Sequence, residues 1–323
     1  MKILCIRLSA LGDVVLTTGV IRQISLAYPQ AEIHFLTDTS LAPVLALCPE
    51  IRTVHTLDRK KALKNHRKFV KNLPPFDIVL DWHDSIRSQK FCNDLSCPQT
   101  AVIKKQSLQR RVFVATKLGN NKLRKHVVEK YYEAAKKVLS LPDLDREQLR
   151  PSLLAPNLSD SLAQEISIGE PYTVVHPYAS QENKVWPFFD SLIQELRLKK
   201  QRVFVVGREE NAVADHPDNL SNRTSLEDTL ALISNAQGLI STDSGPMHFG
   251  LASKTPTLGL FGPTTREFGF FPDFSGGMAV EAKGLDCRPC HVHGGSSCPQ
   301  GHFQCMKSLT VEQLISSYFS LIQ

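Results

Sequence analysis

Short runs of consecutive apolar residues, each followed by a helix-like pattern, constrain this chain more than any other feature. In the first half they fall at residues 2–8, 31–36, 52–57, 76–81 and 100–103. In the second half they fall at 173–176, 202–206, 238–241, 257–260 and 278–281. Strands that are apolar at successive positions, not alternate ones, belong to a parallel sheet covered on both faces. Helical patterns lie between them. Residues 14–27 place Val14, Val15, Thr18, Ile21 and Ile24 on one face, and similar patterns occur at 188–199, 226–235 and 246–252. A last helix starts near Thr310, where Thr310 and Gln313 can form a capping box. Residues 141–169, rich in Pro, Ser, Asp and Leu, read as a crossover between domains. At 323 residues the chain exceeds one ordinary core. The expectation is two doubly wound, Rossmann-like α/β domains facing across a cleft. They span residues 1–155 and 156–323, the second with a Cys-rich segment at 287–305 and the terminal helix. Ligands of open parallel sheets lie beyond the carboxyl ends of the strands, and two such domains suit a two-substrate reaction.

Charge separates the halves. Residues 1–155 carry a net +12 and residues 156–323 a net −6. One basic run includes Arg59, Lys60, Lys61, Lys64, Arg67, Lys68 and Lys71, and a second, from Lys104 to Lys125, contains no acid. Such runs are either a solvated face or an attraction to an anionic partner: a membrane surface, an anionic glycan or nucleic acid. No nucleic-acid-binding motif accompanies them, which argues against that last partner. There is no run of 18 apolar residues, and Arg7 and Asp13 interrupt any apolar leader. A cytoplasmic protein is expected.

The first strand runs into "RLSALGD", residues 7–13, which holds one glycine and then a carboxylate, Asp13, at the helix start. A phosphate-binding loop would be glycine-rich here. Taken alone, Asp13 is a helix N-cap or first-turn acid. The stretch "STDSGPMHFGLASKTPTLGLFGPT", residues 241–264, is better suited to a phosphate. A strand leads into Thr242, Asp243, Ser244 and Gly245, with Pro246 in the first helical turn and His248 one turn on. Backbone N–H groups at such a helix start form an anion site, or Asp243 or Ser244 simply caps the helix. In "HPYASQENKVWP", residues 176–187, Ser180 and Lys184 sit in a polar loop after a strand. Lys184 is either an exposed loop lysine or a point charge able to neutralise a departing phosphate. After the next strand, Glu209 or Glu210 can accept from ribose hydroxyls or cap a helix. In the first half, "LDWHDSIRSQK", residues 80–90, places His83, Asp84, Ser85, Arg87 and Ser88 at a strand's carboxyl end. Arg87, with Arg110 and Arg111, is a candidate for a carboxylate or phosphate, with surface salt bridges as the alternative.

These motifs, in order and spanning residues 1 to about 310, resemble glycosyltransferase family 9, the ADP-heptose:lipopolysaccharide heptosyltransferases. The resemblance implies a GT-B fold, with the acceptor on the N-terminal domain and the nucleotide-sugar on the C-terminal one. It implies that Asp13 is the catalytic base and that Lys184 contacts the donor diphosphate. It also implies that Asp243, Ser244, Gly245 and His248 hold the ADP-heptose. The acceptor is expected to be the anionic lipopolysaccharide inner core, bound by Arg87, Ser88 and Arg110, at the cytoplasmic face of the inner membrane. No Asp-x-Asp pair lies at a strand end of the second half, so no cofactor is expected to be needed for catalysis. A nucleotide-sugar epimerase of the same fold and a non-catalytic nucleotide-sugar- or glycan-binding protein are the competing readings.

The segment "CRPCHVHGGSSCPQGHFQC" contains Cys287, Cys290, Cys298 and Cys305. Its ligand types and first spacing match a structural zinc site, while the later spacings do not match a standard ribbon. Free thiols and disulfides are the alternatives. A similar tail occurs in sequences of the heptosyltransferase II type, and the resemblance is closest to that branch.

Overall fold

The computed structural model describes residues 1–58, 62–118, 121–166, 169–208 and 216–323. In the first part of the chain the strands are β1 (Lys2–Ile6), β2 (Glu32–Asp38), β3 (Ile51–Leu57), β4 (Ile78–Asp81) and β5 (Gln99–Val102). The helices used below are α1 (Leu11–Ala27), α2 (Ala62–Lys71), α3 (Ile86–Leu95), α4 (Ser107–Thr116) and α5 (Val127–Ala135). Further on come β6 (Tyr172–His176), β7 (Arg202–Val205), β8 (Gly238–Thr242), β9 (Thr257–Phe261) and β10 (Gly277–Glu281). Their helices are α6 (Phe189–Leu198), α7 (Leu226–Ser234), α8 (Gly245–Ser253) and α9 (Val311–Ile322). Each of the ten apolar runs read from the sequence overlaps one of these strands, with ends differing by at most two residues.

The chain forms two compact units. The first comprises Met1–Lys105 and Val127–Leu154, the second Gln106–His126 and Ala155–Gln323. The division is therefore not a single cut after residue 155. The segment carrying α4 leaves the first unit and belongs to the second, and it takes Arg110, Arg111 and Lys117 with it.

The first unit holds a five-stranded sheet of order β3-β2-β1-β4-β5. All its pairings are parallel. β1 sits at its centre, and Ile3, Leu4, Cys5 and Ile6 are fully buried because helices cover both faces. Burial of a side chain of this size contributes about 1.5–3 kcal/mol. Chain order reverses between β1 and β4, so their carboxyl ends flank a topological switch point, the place where open sheets bind ligands.

The second unit holds a parallel sheet of order β10-β9-β8-β6-β7. Its switch point lies between β6 and β8. α9 closes this sheet from one side, and the Tyr318 hydroxyl meets the Thr173 hydroxyl at 2.7 Å. Thr310 caps α9 by accepting from the Gln313 N–H at 3.2 Å. The indole N–H of Trp186 donates to the Leu309 carbonyl at 3.1 Å, which ties the loop after β6 to the chain entering α9.

Candidate active site

In the first unit, β1 ends at Ile6 and α1 begins at Leu11, which places Asp13 in the first turn, beyond the strand's carboxyl end. Its carboxylate does not point to solvent. Arg7 Nη2 lies 2.6 Å from one oxygen, and the Tyr131 hydroxyl, from α5, donates to the other at 2.8 Å. The Ala10 N–H approaches at 3.5 Å. Burial raises the Asp13 pKa, but the Arg7 charge and the hydrogen bonds from Tyr131 and Arg7 outweigh it, and the group is held below the ordinary carboxylate value. Arg7 is fixed in turn by donating to the Trp82 carbonyl at 2.6 Å. The neighbouring strand β4 thus anchors the arginine that anchors Asp13.

The loop after β4 completes this edge. Asp81 is fully buried and accepts from the N–H groups of His83 and Asp84, both at 2.9 Å, and from the Ser88 hydroxyl at 2.8 Å. Ser88 is itself fully buried and pairs with Ser85 at the α3 N-terminus. Ser88, expected to contact the acceptor, is therefore engaged inside the fold with Asp81 and Ser85. Arg87 is half-buried and remains on this edge. Lys105 donates to the Asp84 carbonyl at 3.0 Å. The His83 imidazole is pushed down to about 3 by burial and then by the positive charges of Arg7 and Lys105, with Arg87 adding to them. Arg7, Lys105 and Arg87 thus bring positive charge to this edge beside the carboxylates of Asp13, Asp81 and Asp84.

Arg110 lies elsewhere. It is 7 % exposed, belongs to the second unit, and donates to the Phe268 carbonyl at 3.0 Å. The acceptor expectation for Arg110 therefore falls on a residue of the second unit.

In the second unit, the loops after β6 and β8 meet at the switch point. The Lys184 ammonium lies 2.7 Å from Asp243 Oδ2 and 3.3 Å from the Asp243 carbonyl. The same carboxylate accepts from the Thr264 hydroxyl, in the loop after β9, at 2.8 Å. Thr242 is buried and donates to the Tyr178 carbonyl at 2.6 Å. Ser244 occupies the N-cap position of α8, but its side chain makes no capping bond. It faces His176 Nδ1 at 3.0 Å instead. Burial pushes the His176 imidazole down to about 4, so the ring is neutral. Asp243 and Ser244 are thus engaged sideways, and the positive end of α8, with half-buried Gly245 and with Pro246 in its first turn, carries no side-chain cap. Ser180 is exposed in the adjoining loop. His248 is 3 % exposed, with its ring against Phe270. Glu209 and Glu210 lie outside the described residues.

The Cys-rich segment brings its four thiols near one another, with Cys290, Cys298 and Cys287 all acting on Cys305. Cys287, Cys290, Cys298 and Cys305 are all free thiols. Among the described residues no three His, Cys, Asp or Glu side chains are gathered as a metal-holding set. Burial, followed by the nearby Cys290, pushes the Cys305 thiol up to about 11. Cys305 and Met306 fill the core beneath α9, and the rest of the segment buttresses the Lys184 loop. The Gly295 N–H donates to Asn183 Oδ1 at 2.8 Å, and the Asn183 N–H returns a bond to the Gly295 carbonyl at 3.1 Å. The Arg288 guanidinium joins the carbonyls of Gly262, Ala282 and Thr264 to Glu281.

Sequence reasoning missed Tyr131, Lys105, His176 and Thr264 as parts of these two edges. Tyr131 lies 118 residues from Asp13 and carries no local signal.

The family model for glycosyltransferase family 9 (heptosyltransferase) matches residues 66–290. Lipopolysaccharide heptosyltransferase 3 of Escherichia coli is 25% identical over 299 residues, covering 80% of this chain and 82% of its own. The solved structure of the E. coli ADP-heptose lipopolysaccharide heptosyltransferase II superposes with a TM-score of 0.77 at 20% identity, over 100% of this chain and 98% of the other. A family 9 glycosyltransferase from Veillonella parvula also gives 0.77, at 18% identity, over 99% and 97% of the two chains. Two parallel α/β sheets of this topology are those of the GT-B heptosyltransferase structures. With the matched family segment covering more than half of its length, the chain belongs to glycosyltransferase family 9, the heptosyltransferases.

Proposed function

We propose that this glycosyltransferase moves a heptose from ADP-heptose to the anionic lipopolysaccharide inner core, on Kdo or heptose, with inversion at the anomeric carbon. The observation that carries the reading is the second unit's switch point, where the Lys184 ammonium stands 2.7 Å from Asp243 beside the uncapped start of α8. A mobile cation and a helix N-terminus together suit a diphosphate. In the free protein Asp243 holds Lys184 in place. In the complex the diphosphate takes up that charge, with Thr242, Ser244 and Gly245 lining the loop.

In this scheme the acceptor oxygen attacks the anomeric carbon from the face opposite the diphosphate. The bond from that carbon to the phosphate oxygen breaks, and its electron pair leaves with ADP. The acceptor proton passes to Asp13. A general base of this kind contributes ~10²–10⁴-fold. Arg7 and Tyr131 keep Asp13 ionised and oriented, at some cost in basicity. The positive edge around His83, Arg87 and Lys105 receives the acceptor's anionic groups. The same reading puts the enzyme's work at the cytoplasmic face of the inner membrane, in peripheral contact with it, as the acceptor's lipid anchorage would require.

Kinetics and calorimetry on two variants test the roles. Asp13→Ala is expected to abolish transfer while leaving the Kd for ADP within a few fold. Lys184→Ala is expected to weaken ADP binding and to lower kcat by ~10²-fold or more, the scale of losing one preorganised charge partner. Equal loss of binding and turnover in Asp13→Ala would count against the base. An unchanged donor Kd in Lys184→Ala would remove the lysine from the site. No step of the scheme runs through a divalent ion, so turnover is expected to persist in EDTA. A complete loss restored by magnesium would overturn that part.

A further inference from the structure

α4 carries an unpartnered apolar face. Arg110 and Phe113 point inward, 7 % and 6 % exposed, and Phe113 packs with Leu123 and Phe268. Leu108, Val112 and Ala115 fall on the opposite side at helical spacing. Leu108 is 75% exposed and Val112 49%, and Leu118, just past the helix end, is 79% exposed. Single exposed apolar side chains are ordinary. Here three of the nine large ones among the described residues fall within eleven residues, two on one side of the helix and one just past its end.

The surroundings are cationic. Lys104, Arg111, Lys117, Arg124 and Lys125 are exposed, and the sequence from 104 to 125 contains no acid. Lys117 donates to the carbonyls of Val114 and Pro289, which leaves its charge in place. Arg124 has a carboxylate nearby, Glu267 at 3.8 Å. An apolar stripe flanked by Lys and Arg, on a helix with its other face packed into the protein, is the pattern of an element lying in a lipid–water interface. The apolar residues enter the acyl boundary and the cations meet anionic headgroups.

We propose that the outward face of α4, together with Leu118, is the surface by which this enzyme docks on an anionic lipid bilayer. The choice of a bilayer as occupant rests on the peripheral-membrane reading above, and the charge of the patch supports it independently. Docking by α4 holds the second unit at the headgroup layer, where a lipid-linked acceptor is presented.

Flotation of the full chain with phosphatidylcholine vesicles, with and without phosphatidylglycerol, tests this. The wild type is expected to float with the anionic vesicles, less so at high salt. Leu108→Ser/Val112→Ser/Leu118→Ser is expected to bind about tenfold more weakly, with circular dichroism and turnover on a delipidated acceptor unchanged. Wild-type protein that binds neutral and anionic vesicles equally would overturn the charge argument. Wild type that binds neither would remove the membrane reading itself. Wild type that floats beside an equally bound triple variant would leave that reading standing and remove α4 as the surface. A dimer in solution that the triple variant dissolves would assign the face to a second copy of the chain and overturn the proposal. A single replacement that leaves the stripe apolar gives a second readout. The two native tryptophans, Trp82 and Trp186, are buried. Leu108→Trp fluorescence is therefore expected to shift to the blue on adding anionic vesicles, and an unshifted spectrum would contradict insertion.

Discussion

Asp13 is held by partners from two places in the chain: Arg7 and Ala10 in the loop between β1 and α1, and Tyr131 from α5. This environment keeps the carboxylate ionised, which the proposed base role requires, at some cost in basicity. Its pKa lies below the ordinary value, so the group loses its charge only as pH falls through that lowered value. The acid limb of kcat/KM is therefore expected below the usual carboxylate range. Arg7→Gln removes the charge that opposes protonation, so the limb should move to higher pH. Tyr131→Phe should move it the same way by less. A pH profile that stays in place in both variants would show that the two residues do not act through Asp13. The motif around Asp13 was legible in the sequence because Arg7 and Asp13 lie six residues apart across one strand-to-helix turn. The Tyr131 contact was not, because only the packing of α5 against α1 creates it.

At the scale of elements, the strands were legible because parallel strands buried on both faces must be apolar throughout. The loops between them carry the chemistry and were read less well. "KVWP" and "TDSGP" marked the Lys184 and α8 loops, but nothing local showed that the Cys-rich segment packs against the first of them. The contact depends on Gly294, whose φ of 88° lies in the left-handed region. A Cβ there would stand 2.9 Å from Gln181 Cβ and 3.0 Å from Lys184 Cε. Gly294→Ala combines this clash with about 1–2 kcal/mol of backbone strain. It is expected to displace Lys184 and weaken ADP binding about tenfold while Tm falls by only a few degrees. Calorimetric ADP titration alongside thermal melting checks this. An unchanged Kd with a lowered Tm would reduce the segment to a stabilising role.

In the whole molecule the two units carry different groups. One carries a clamped carboxylate and a positive edge at the β1/β4 switch point, and the other carries a cation and a helix N-terminus at the β6/β8 switch point. The doubling was visible in the sequence as two series of apolar runs. The exchange of Gln106–His126 into the second unit was not, because that segment is short, basic and continuous with what precedes it. Its transfer also means that part of the first half's positive charge belongs to the unit proposed to bind the donor. The proposed transfer needs both substrates, so ADP release is expected to depend on the acceptor. The most direct measurement is ADP release by the purified enzyme from ADP-heptose, with and without a truncated lipopolysaccharide core, followed by the anomeric configuration of the product. The expected result is release only when the core is present, with the heptose attached in inverted configuration. Release without acceptor, or conversion of the donor sugar to an epimer, would contradict it.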